Sequence, residues 1–594
     1  MTRSNLPEPA LSWLPNVGGA FLFGCLVWLV LPATVVTYDD DFAYLRSVVE
    51  TIQRGRPWTY EWLTPWAASL SGIVALLFKG TGSFSFAVHF SLSLAGAMAY
   101  FGLCSVLRNQ GLRGWRAPLL CGLLLLLPSV FFMHLMFTSV ALYMGCLWLC
   151  AWLGMERKWG WFFLFWCIGI SSRQSAITWL ALPGWIVIAD LWQHRQIRFR
   201  EAGVVRPLLV IAAGAVTLLV LMMGMNKTSG QQTTFGSLSS FLAWERLWLP
   251  VTLGAGALLA GLGLGGMATA LRPTTPKMNW GRKRWVFVFV ATSLGILAGL
   301  GFREVVSATH SCYRDDISNL YFAVLGGIAG LGLTFIKVRP RWEFLFVGLG
   351  TFALLLIYGG TFDYYYNDLI FWGFLATLAP GVSLLEEGVW LFTFKPIMKM
   401  GILVALVFLM GVNFRWLVRF RYEGDRAAGV IRLFETALRS GKMTPDLIGQ
   451  DTFGHCGWLL EDYHRDHDGG PNYSLGDFML YTQSWDGKAG TGVETETTKK
   501  LRKLREWLPT HNTTNLIKTK GKSILHQMES TVLWGKYNVR YSIVRVEPKD
   551  ANVTTRRPLL AKEYKLNPFP LDDSEWRAYI AKQPFGQPSK QKAN

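Results

Sequence analysis

Apolar runs long enough to cross a membrane recur along this chain from residue 17 to residue 420, with short polar loops between them. An α-helix needs about 20 consecutive apolar residues to cross a bilayer, so the pattern predicts about thirteen transmembrane helices. We expect them at about 17–36, 84–107, 117–133, 135–154, 160–171, 174–191, 206–225, 247–271, 285–302, 319–336, 344–360, 369–385 and 399–420. A further apolar stretch, 64–79, is short, and we interpret it as a re-entrant or interfacial helix.

The composition fits this class, because 51% of the residues are hydrophobic and only 16% are charged. The formal net charge is +19. Many of the basic residues lie in loops between the runs, where they orient a membrane protein. We therefore attribute the charge to topology and expect no nucleic-acid partner.

Five basic loops predict which ends of the helices face the cytoplasm. With an odd number of spans, these loops place the N-terminus inside and the tail outside. Arg415, Arg419 and Arg421 lie at the outer end of the last run and favour the opposite orientation of the tail, but five loops outweigh one cluster. The five loops are 108–116, 156–158, 194–206, 272–284 and 337–341.

The expected fold class is an all-α polytopic membrane module, 1–421, followed by a soluble α/β domain, 422–594, on the outside. The module includes a first outside loop, 37–83, and a second large outside loop, 226–246. In the tail, 424–442 has the period of an amphipathic helix and 537–543 alternates as a strand does. The alternation slips at Val544, where the strand ends or carries a bulge.

Three carboxylates follow the first apolar run, in the stretch Tyr38-Asp39-Asp40-Asp41-Phe42-Ala43-Tyr44. They would be costly in lipid, but at the interface they can take up a proton or hold a cation. A hydrated stop to the first span is the simpler interpretation. The next residues, 42–54, predict an amphipathic helix that lies on the membrane, with Arg46, Glu50 and Arg54 on its polar side.

On this topology, other polar residues collect on the same outside face. Arginine binds phosphate through a planar fork of donors, and a carboxylate can act as a general base. The set therefore suits a substrate with an anionic head and a lipid tail, although Arg173 could also be a span-end anchor. The set comprises Asp39, Asp40, Asp41, Glu61, His134, Arg173, the loop 226–246, Arg303, Arg314, Asp315, Asp316 and the segment 363–368.

Two stretches resemble the membrane glycosyltransferases of the GT-C fold, in particular the glycosyltransferase family 39-like group. That group includes protein O-mannosyltransferases and the lipid A aminoarabinose transferase of bacteria. Asp40-Asp41-Phe42-Ala43-Tyr44 resembles the group's Asp-Glu-Ala-x-Tyr motif, and Ser171-Ser172-Arg173-Gln174-Ser175 resembles its Leu-Thr-Lys-Gly-x stretch. Glu61-Trp62-Leu63-Thr64-Pro65-Trp66 matches a third motif in part. The resemblance covers 15–250 well and 250–420 only as a pattern of spans.

The resemblance implies transfer of a sugar, with inversion, from a polyprenyl-phosphate donor to a glycan, lipid or protein acceptor outside the cytoplasm. Asp40 would be the catalytic base, and Arg173 would meet the donor phosphate. The protein would lie among the lipids of the bacterial inner membrane. Some relatives use a divalent cation such as Mg²⁺ or Mn²⁺, but this sequence has no diagnostic ligand set, so the metal requirement stays open.

The remaining site residues are assigned from their place on the outside face. Asp39, Asp41 and Glu61 would orient the acceptor or hold a cation, and Arg303 and Arg314 would assist at the donor phosphate.

Two other functions stay open at this stage. A transporter or flippase for lipid-linked glycans would show charged residues near mid-span on several helices and two related halves. The centres of the predicted spans are mostly uncharged and no internal repeat is evident, which favours the enzyme. A polysaccharide polymerase would also use outside arginines on a lipid-linked glycan.

Overall fold

The computed structural model describes residues 14–35, 41–59, 68–112, 116–194, 202–225, 244–270, 282–309, 316–334, 341–358, 363–378, 396–440, 478–484, 523–545 and 569–582. Most of these residues are helical. The first nine α-helices are α1 (Leu14–Val30), α2 (Asp41–Arg54), α3 (Ala68–Thr81), α4 (Phe84–Asn109), α5 (Arg116–Leu125), α6 (Pro128–Met133), α7 (Ser139–Met155), α8 (Trp159–Ile170) and α9 (Ala181–His194), with a 3₁₀ helix at Gln174–Leu180 before α9.

The later elements combine long helices with a small sheet. The helices are α10 (Ala202–Met225), α11 (Trp244–Ala270), α12 (Arg282–Thr309), α13 (Asp316–Leu333), α14 (Trp342–Tyr358), α15 (Asp363–Thr377), α16 (Pro396–Arg439) and α17 (Asp573–Ala581). The strands are β1 (Phe478–Ser484), β2 (Ser523–Val532) and β3 (Tyr537–Arg545).

Four of the described helices contain segments long and apolar enough to cross a membrane, and several shorter apolar helices accompany them. The four segments are Phe84–Asn109, Val204–Leu221, Val251–Ala268 and Trp285–Glu304. The protein is therefore mainly helical and has helices of the transmembrane type. The count of thirteen spans stays a prediction.

Most predicted runs correspond to helices, but three differ in form. The run 117–133 is divided into α5 and α6, because Pro128 lacks an N–H group and begins a new helix. The run 174–191 begins as a 3₁₀ helix before α9 continues it. The segment 64–79 corresponds to α3, whose 14 residues span about 21 Å, less than the ~30 Å hydrocarbon core of a bilayer.

The last long helix, α16, continues through the predicted domain boundary at 421/422. Its 44 residues extend about 66 Å, roughly twice the thickness of a bilayer core, so the whole helix is too long for a bilayer core to enclose. Its second half contains the amphipathic face predicted within 424–442, where Ala427, Val430, Ile431 and Phe434 are buried. The division into two domains itself stays a prediction.

Strand β3 confirms the strand predicted at 537–543 and continues past the slip in its pattern. The antiparallel sheet has the order β1-β3-β2. The irregularity lies on β2 between Ile524 and His526, opposite Ile543 and Val544 of β3. The bulge therefore lies on the neighbouring strand, and β3 continues to Arg545. The wider α/β domain predicted for the tail stays a prediction.

Helices α12 and α13 approach each other closely through glycines spaced four residues apart. A methyl group added at Gly326 would overlap the carbonyl oxygen of Gly295, and one added at Gly330 would overlap that of Ala291. Small residues at such spacing allow two helix backbones to come into contact in a membrane. This contact therefore depends on the absence of side chains.

Helix α7 lies at the centre of the part that contains the candidate site. Nearly all of its residues are buried, including the fully enclosed Trp148 and Cys146. A helix that is apolar on every side belongs in the interior of a bundle. Its beginning, at Ser139, is where the polar residues of interest meet.

Candidate functional site

A buried hydroxyl–carboxyl pair lies near the beginning of α7. The Tyr143 hydroxyl donates a hydrogen bond of 2.5 Å to Oδ2 of Asp368 on α15. Both side chains are 1% exposed, and Oδ1 of Asp368 has no hydrogen-bond partner among the described residues. A carboxyl group inside an apolar bundle is costly, and such residues often mark a functional site.

Arg173 lies beside this pair, in the turn that joins α8 to the 3₁₀ helix. Its backbone is extended, with φ −151° and ψ 140°, which ends α8 and turns the chain back into the bundle. The guanidinium group is near enough to Tyr143 and Asp368 to interact electrostatically with both. The turn thus brings a cation to the buried carboxyl group.

Helices α2 and α3, which belong to the predicted first outside loop, contact the same region at two points. The Tyr44 hydroxyl on α2 lies 3.3 Å from Oγ of Ser139, one turn before Tyr143 on α7. Ser69 of α3 makes a 2.8 Å hydrogen bond with Ser172, next to Arg173. The helix that follows the acidic stretch and the turn that contains Arg173 therefore converge on the same end of α7.

Of the seven predicted site residues, Arg173 and Arg303 are the two whose side chains the structure describes. Asp39, Asp40, Glu61 and Arg314 lie outside the described residues, as do residues 226–243 of the second large outside loop. Asp41 is the first residue of α2, but its side chain is not described.

Arg303 belongs to a different part of the structure from Arg173. Its guanidinium group pairs with the adjacent Glu304 and donates to Ser318 of α13 at 3.3 Å. Within the described ranges, no polar contact connects Arg303 to Arg173 or Asp368. The expectation that Arg303 assists at the donor phosphate therefore stays a prediction without a geometric link to Arg173.

Asp368 is the functional candidate that the sequence did not single out. It directly precedes the apolar run 369–385, within the segment 363–368 that the sequence analysis predicts on the outside face. In the structure α15 begins at Asp363, so Asp368 lies in the second turn of a helix whose next residues are buried. A carboxylate immediately before an apolar run was the available signal.

Helix α2 forms as predicted, but its polar side is not free at a membrane surface. Arg46 is 1% exposed and Glu50 is 2% exposed, as deeply buried as Leu45 on the apolar side. The Arg46 guanidinium donates to the Tyr579 hydroxyl of α17 at 3.0 Å. The sequence pattern identified two faces correctly, and the C-terminal helix covers the one expected to face water.

The described part of the chain contains no cluster of side chains arranged as a metal-binding site. Within those ranges, no group of three His, Cys, Asp or Glu side chains is arranged to hold a metal ion. His134 is fully buried, with its ring edge-on to Phe23 at 6.0 Å, so it is part of the packing there.

The arrangement at the end of α7 can orient an anionic group. It combines one arginine, one buried carboxyl group and hydroxyl groups in an otherwise apolar bundle. An arginine in a partly dry site interacts more strongly with a phosphate than one in water. No protein-family model, no curated protein and no solved structure matches this chain.

Proposed function

We propose that this protein transfers a sugar from a polyprenyl-phosphate donor to an acceptor outside the cytoplasm. The observation that carries the proposal is the convergence on α7: Tyr44, at the end of the motif that contains Asp40, contacts Ser139, and Ser69 contacts Ser172 next to Arg173. The two stretches that resemble the GT-C glycosyltransferases are far apart in sequence. A shared active site requires these two stretches to lie close together in the fold.

In the proposed reaction, Asp40 removes the proton from the acceptor hydroxyl as its oxygen attacks the anomeric carbon. The bond from that carbon to the phosphate oxygen breaks, the configuration inverts, and the polyprenyl phosphate leaves. Arg173 stabilises the charge that develops on the departing phosphate. Asp368 and Tyr143 would keep the guanidinium group in place, because a buried carboxyl group favours a fixed cation beside it.

The proposal extends to the architecture and location inferred from the sequence. It includes a GT-C-like module of about thirteen spans in a bacterial inner membrane. The active site and an α/β tail would face outside. Asp39, Asp41 and Glu61 would orient the acceptor or hold a cation such as Mg²⁺ or Mn²⁺.

The test is transfer of radiolabel from a panel of polyprenyl-phosphate sugars, in membranes that contain wild-type protein or Asp40→Asn. We expect label to reach a protein, glycan or lipid acceptor with the wild type and not with the variant. Glu156→Gln is the matched control, because it makes the same carboxylate-to-amide change beyond the opposite end of α7. Full turnover by folded Asp40→Asn would remove Asp40 from the role of base.

The two other functions give different results in the same membranes. A flippase would move lipid-linked sugar between leaflets with no covalent transfer. Wild-type protein and Asp40→Asn would then both leave the acceptors unlabelled. A polymerase would lengthen a lipid-linked glycan, so the label would appear in products of increasing size.

A further inference from the structure

The C-terminal helix α17 is held against the first outside loop by several specific contacts. Besides the Arg46–Tyr579 hydrogen bond, the Gln53 side-chain amide donates to the carbonyl oxygens of Ile580 at 3.2 Å and Lys582 at 3.0 Å. These bonds satisfy polar groups of α2 that would otherwise face away from the bundle. The end of the chain thus replaces water on the polar side of α2.

Two further residues fix α17 to the beginning of α4. The Trp576 ring is fully buried and stacks on Phe84, with 4.1 Å between ring centroids. The Asp573 carboxylate accepts hydrogen bonds from the Ser83 hydroxyl at 2.5 Å and from the backbone N–H of Ser85 at 2.9 Å. Partial burial raises the pKa of Asp573, but these hydrogen bonds outweigh it and keep the pKa below its ordinary value.

A second contact of the tail lies at the end of α1, just before the acidic stretch. The turn between β2 and β3 directs the Trp534 indole N–H to the carbonyl oxygen of Leu29 at 3.1 Å. Arg421 of α16 donates to the carbonyl of Leu31, and its guanidinium group lies over the Trp534 ring at 5.4 Å. Asp425 pairs with Arg421 at 3.1 Å and fixes it in this position.

The backbone of this turn also has a conformation that surrounding contacts must stabilise. Leu533 and Trp534 have φ values of 53° and 58°. Bulky residues avoid this left-handed region, and it persists only where surrounding contacts maintain it. The contacts of Trp534 with α1 and α16 supply that support.

We propose that the C-terminal part of the chain positions α2, and with it the acidic stretch, by holding the chain on both sides of Asp39–Asp41. One set of contacts joins Trp534 and Arg421 to the backbone at Leu29–Leu31. The other joins α17 to α2 between Arg46 and Gln53. A helix of 14 residues is marginal on its own, so α2 depends on its packing partners for its orientation. Tyr579, Trp576 and Trp534 are therefore positioning residues, and their consequence for transfer rests on the proposed function.

The first test measures backbone hydrogen–deuterium exchange in the full-length protein. In Trp576→Ala we expect peptides covering 41–54 to exchange about tenfold faster than in the wild type, a loss of ~1.4 kcal/mol in local stability. Arg577→Ala is the control, because Arg577 is exposed on α17 and, among the described residues, its side chain bonds only to its own helix. It should leave exchange in 41–54 unchanged.

Tyr579→Phe keeps the test decisive if Trp576→Ala fails to fold. It retains the ring but removes the oxygen that accepts from Arg46. Faster exchange in 41–54, with other helices unchanged, is expected again. Wild-type exchange rates in 41–54 in every variant that folds would overturn the proposal, because α2 would then keep its place without these contacts.

The second test separates this inference from the proposed function. In a wild-type protein that transfers sugar, Trp576→Ala should lower kcat and leave the donor KM within about twofold, since the contacts described for Trp576 and Tyr579 are with α4 and α2. A raised KM with unchanged kcat would contradict positioning of the acidic stretch. Absence of transfer in the wild type would remove the proposed function, while the exchange result would still decide whether the tail holds α2.

Discussion

The hydrogen bond between Tyr143 and Asp368 offers a direct test of the site, through Tyr143→Phe. Hydrogen bonds to charged groups contribute ~1.5–3 kcal/mol in soluble proteins, whereas side-chain bonds between membrane helices average ~0.6 and reach ~1.7 kcal/mol. The Asp368 carboxyl group is 1% exposed, and Tyr143 is the hydrogen-bond partner that the described residues provide. We therefore expect a loss near the upper end, ~1.5 kcal/mol.

The assay is unfolding of the purified protein in mixed micelles, titrated with SDS and followed by tryptophan fluorescence. Tyr143→Phe, Asp368→Asn and the double variant form a cycle whose coupling energy isolates the pair. Tyr100→Phe is the matched control, because the residue is also buried and its hydroxyl makes no hydrogen bond with a described residue. It should change the free energy of unfolding by less than about 0.5 kcal/mol.

Unfolding of Tyr143→Phe at the same SDS fraction as the wild type would contradict the expected contribution of this hydrogen bond to the free energy of unfolding. Two single effects that add within about 0.5 kcal/mol would contradict it as well, since residues in contact should couple. Either result would mean that the carboxyl group finds an equivalent partner without the Tyr143 hydroxyl.

Three further predictions follow from separate contacts. Gly326→Ala should destabilise the protein by about 1–3 kcal/mol in the same titration, because the added methyl group would overlap a carbonyl of α12, whereas Gly301→Ala has open space and should be neutral. Arg173→Gln should lower transfer at least about tenfold in protein that still folds, since glutamine carries no positive charge for the departing phosphate; full activity of the folded variant would contradict a phosphate role. Because the pKa of Asp573 is lowered by folding, its stabilisation of α17 is complete above the ordinary value of 3.8 and is lost as the pH falls through the lowered value; exchange in 41–54 should accelerate there in the wild type and show no such step in Asp573→Asn.

The positions of the helices were largely predictable, because they depend on the length and period of local apolar runs. The run 84–107 appears as Phe84–Asn109, and the predicted tail helix appears as the buried face of α16. The exceptions also have local causes, such as Pro128 at the start of α6. The residues at which a helix begins and ends depend on a few neighbouring residues.

The candidate site was predictable only in part. Arg173 could be picked out because a basic residue in a short turn between two apolar runs stands out in the sequence. Asp368 was only one member of the polar segment 363–368, because what distinguishes it is its hydrogen bond to Tyr143, a residue 225 positions away. A side chain gains a partner of this kind only when separate helices come together.

The sequence by itself determined that the protein is mainly helical, which segments are apolar enough for a membrane, and which faces of α2 are polar and apolar. Tertiary structure alone decided what those faces contact. The polar face of α2 meets Tyr579, which lies 533 residues further along the chain. Hydropathy and periodicity report the local cost of exposing a side chain to water or lipid. They carry no information about which distant segment will cover that side chain.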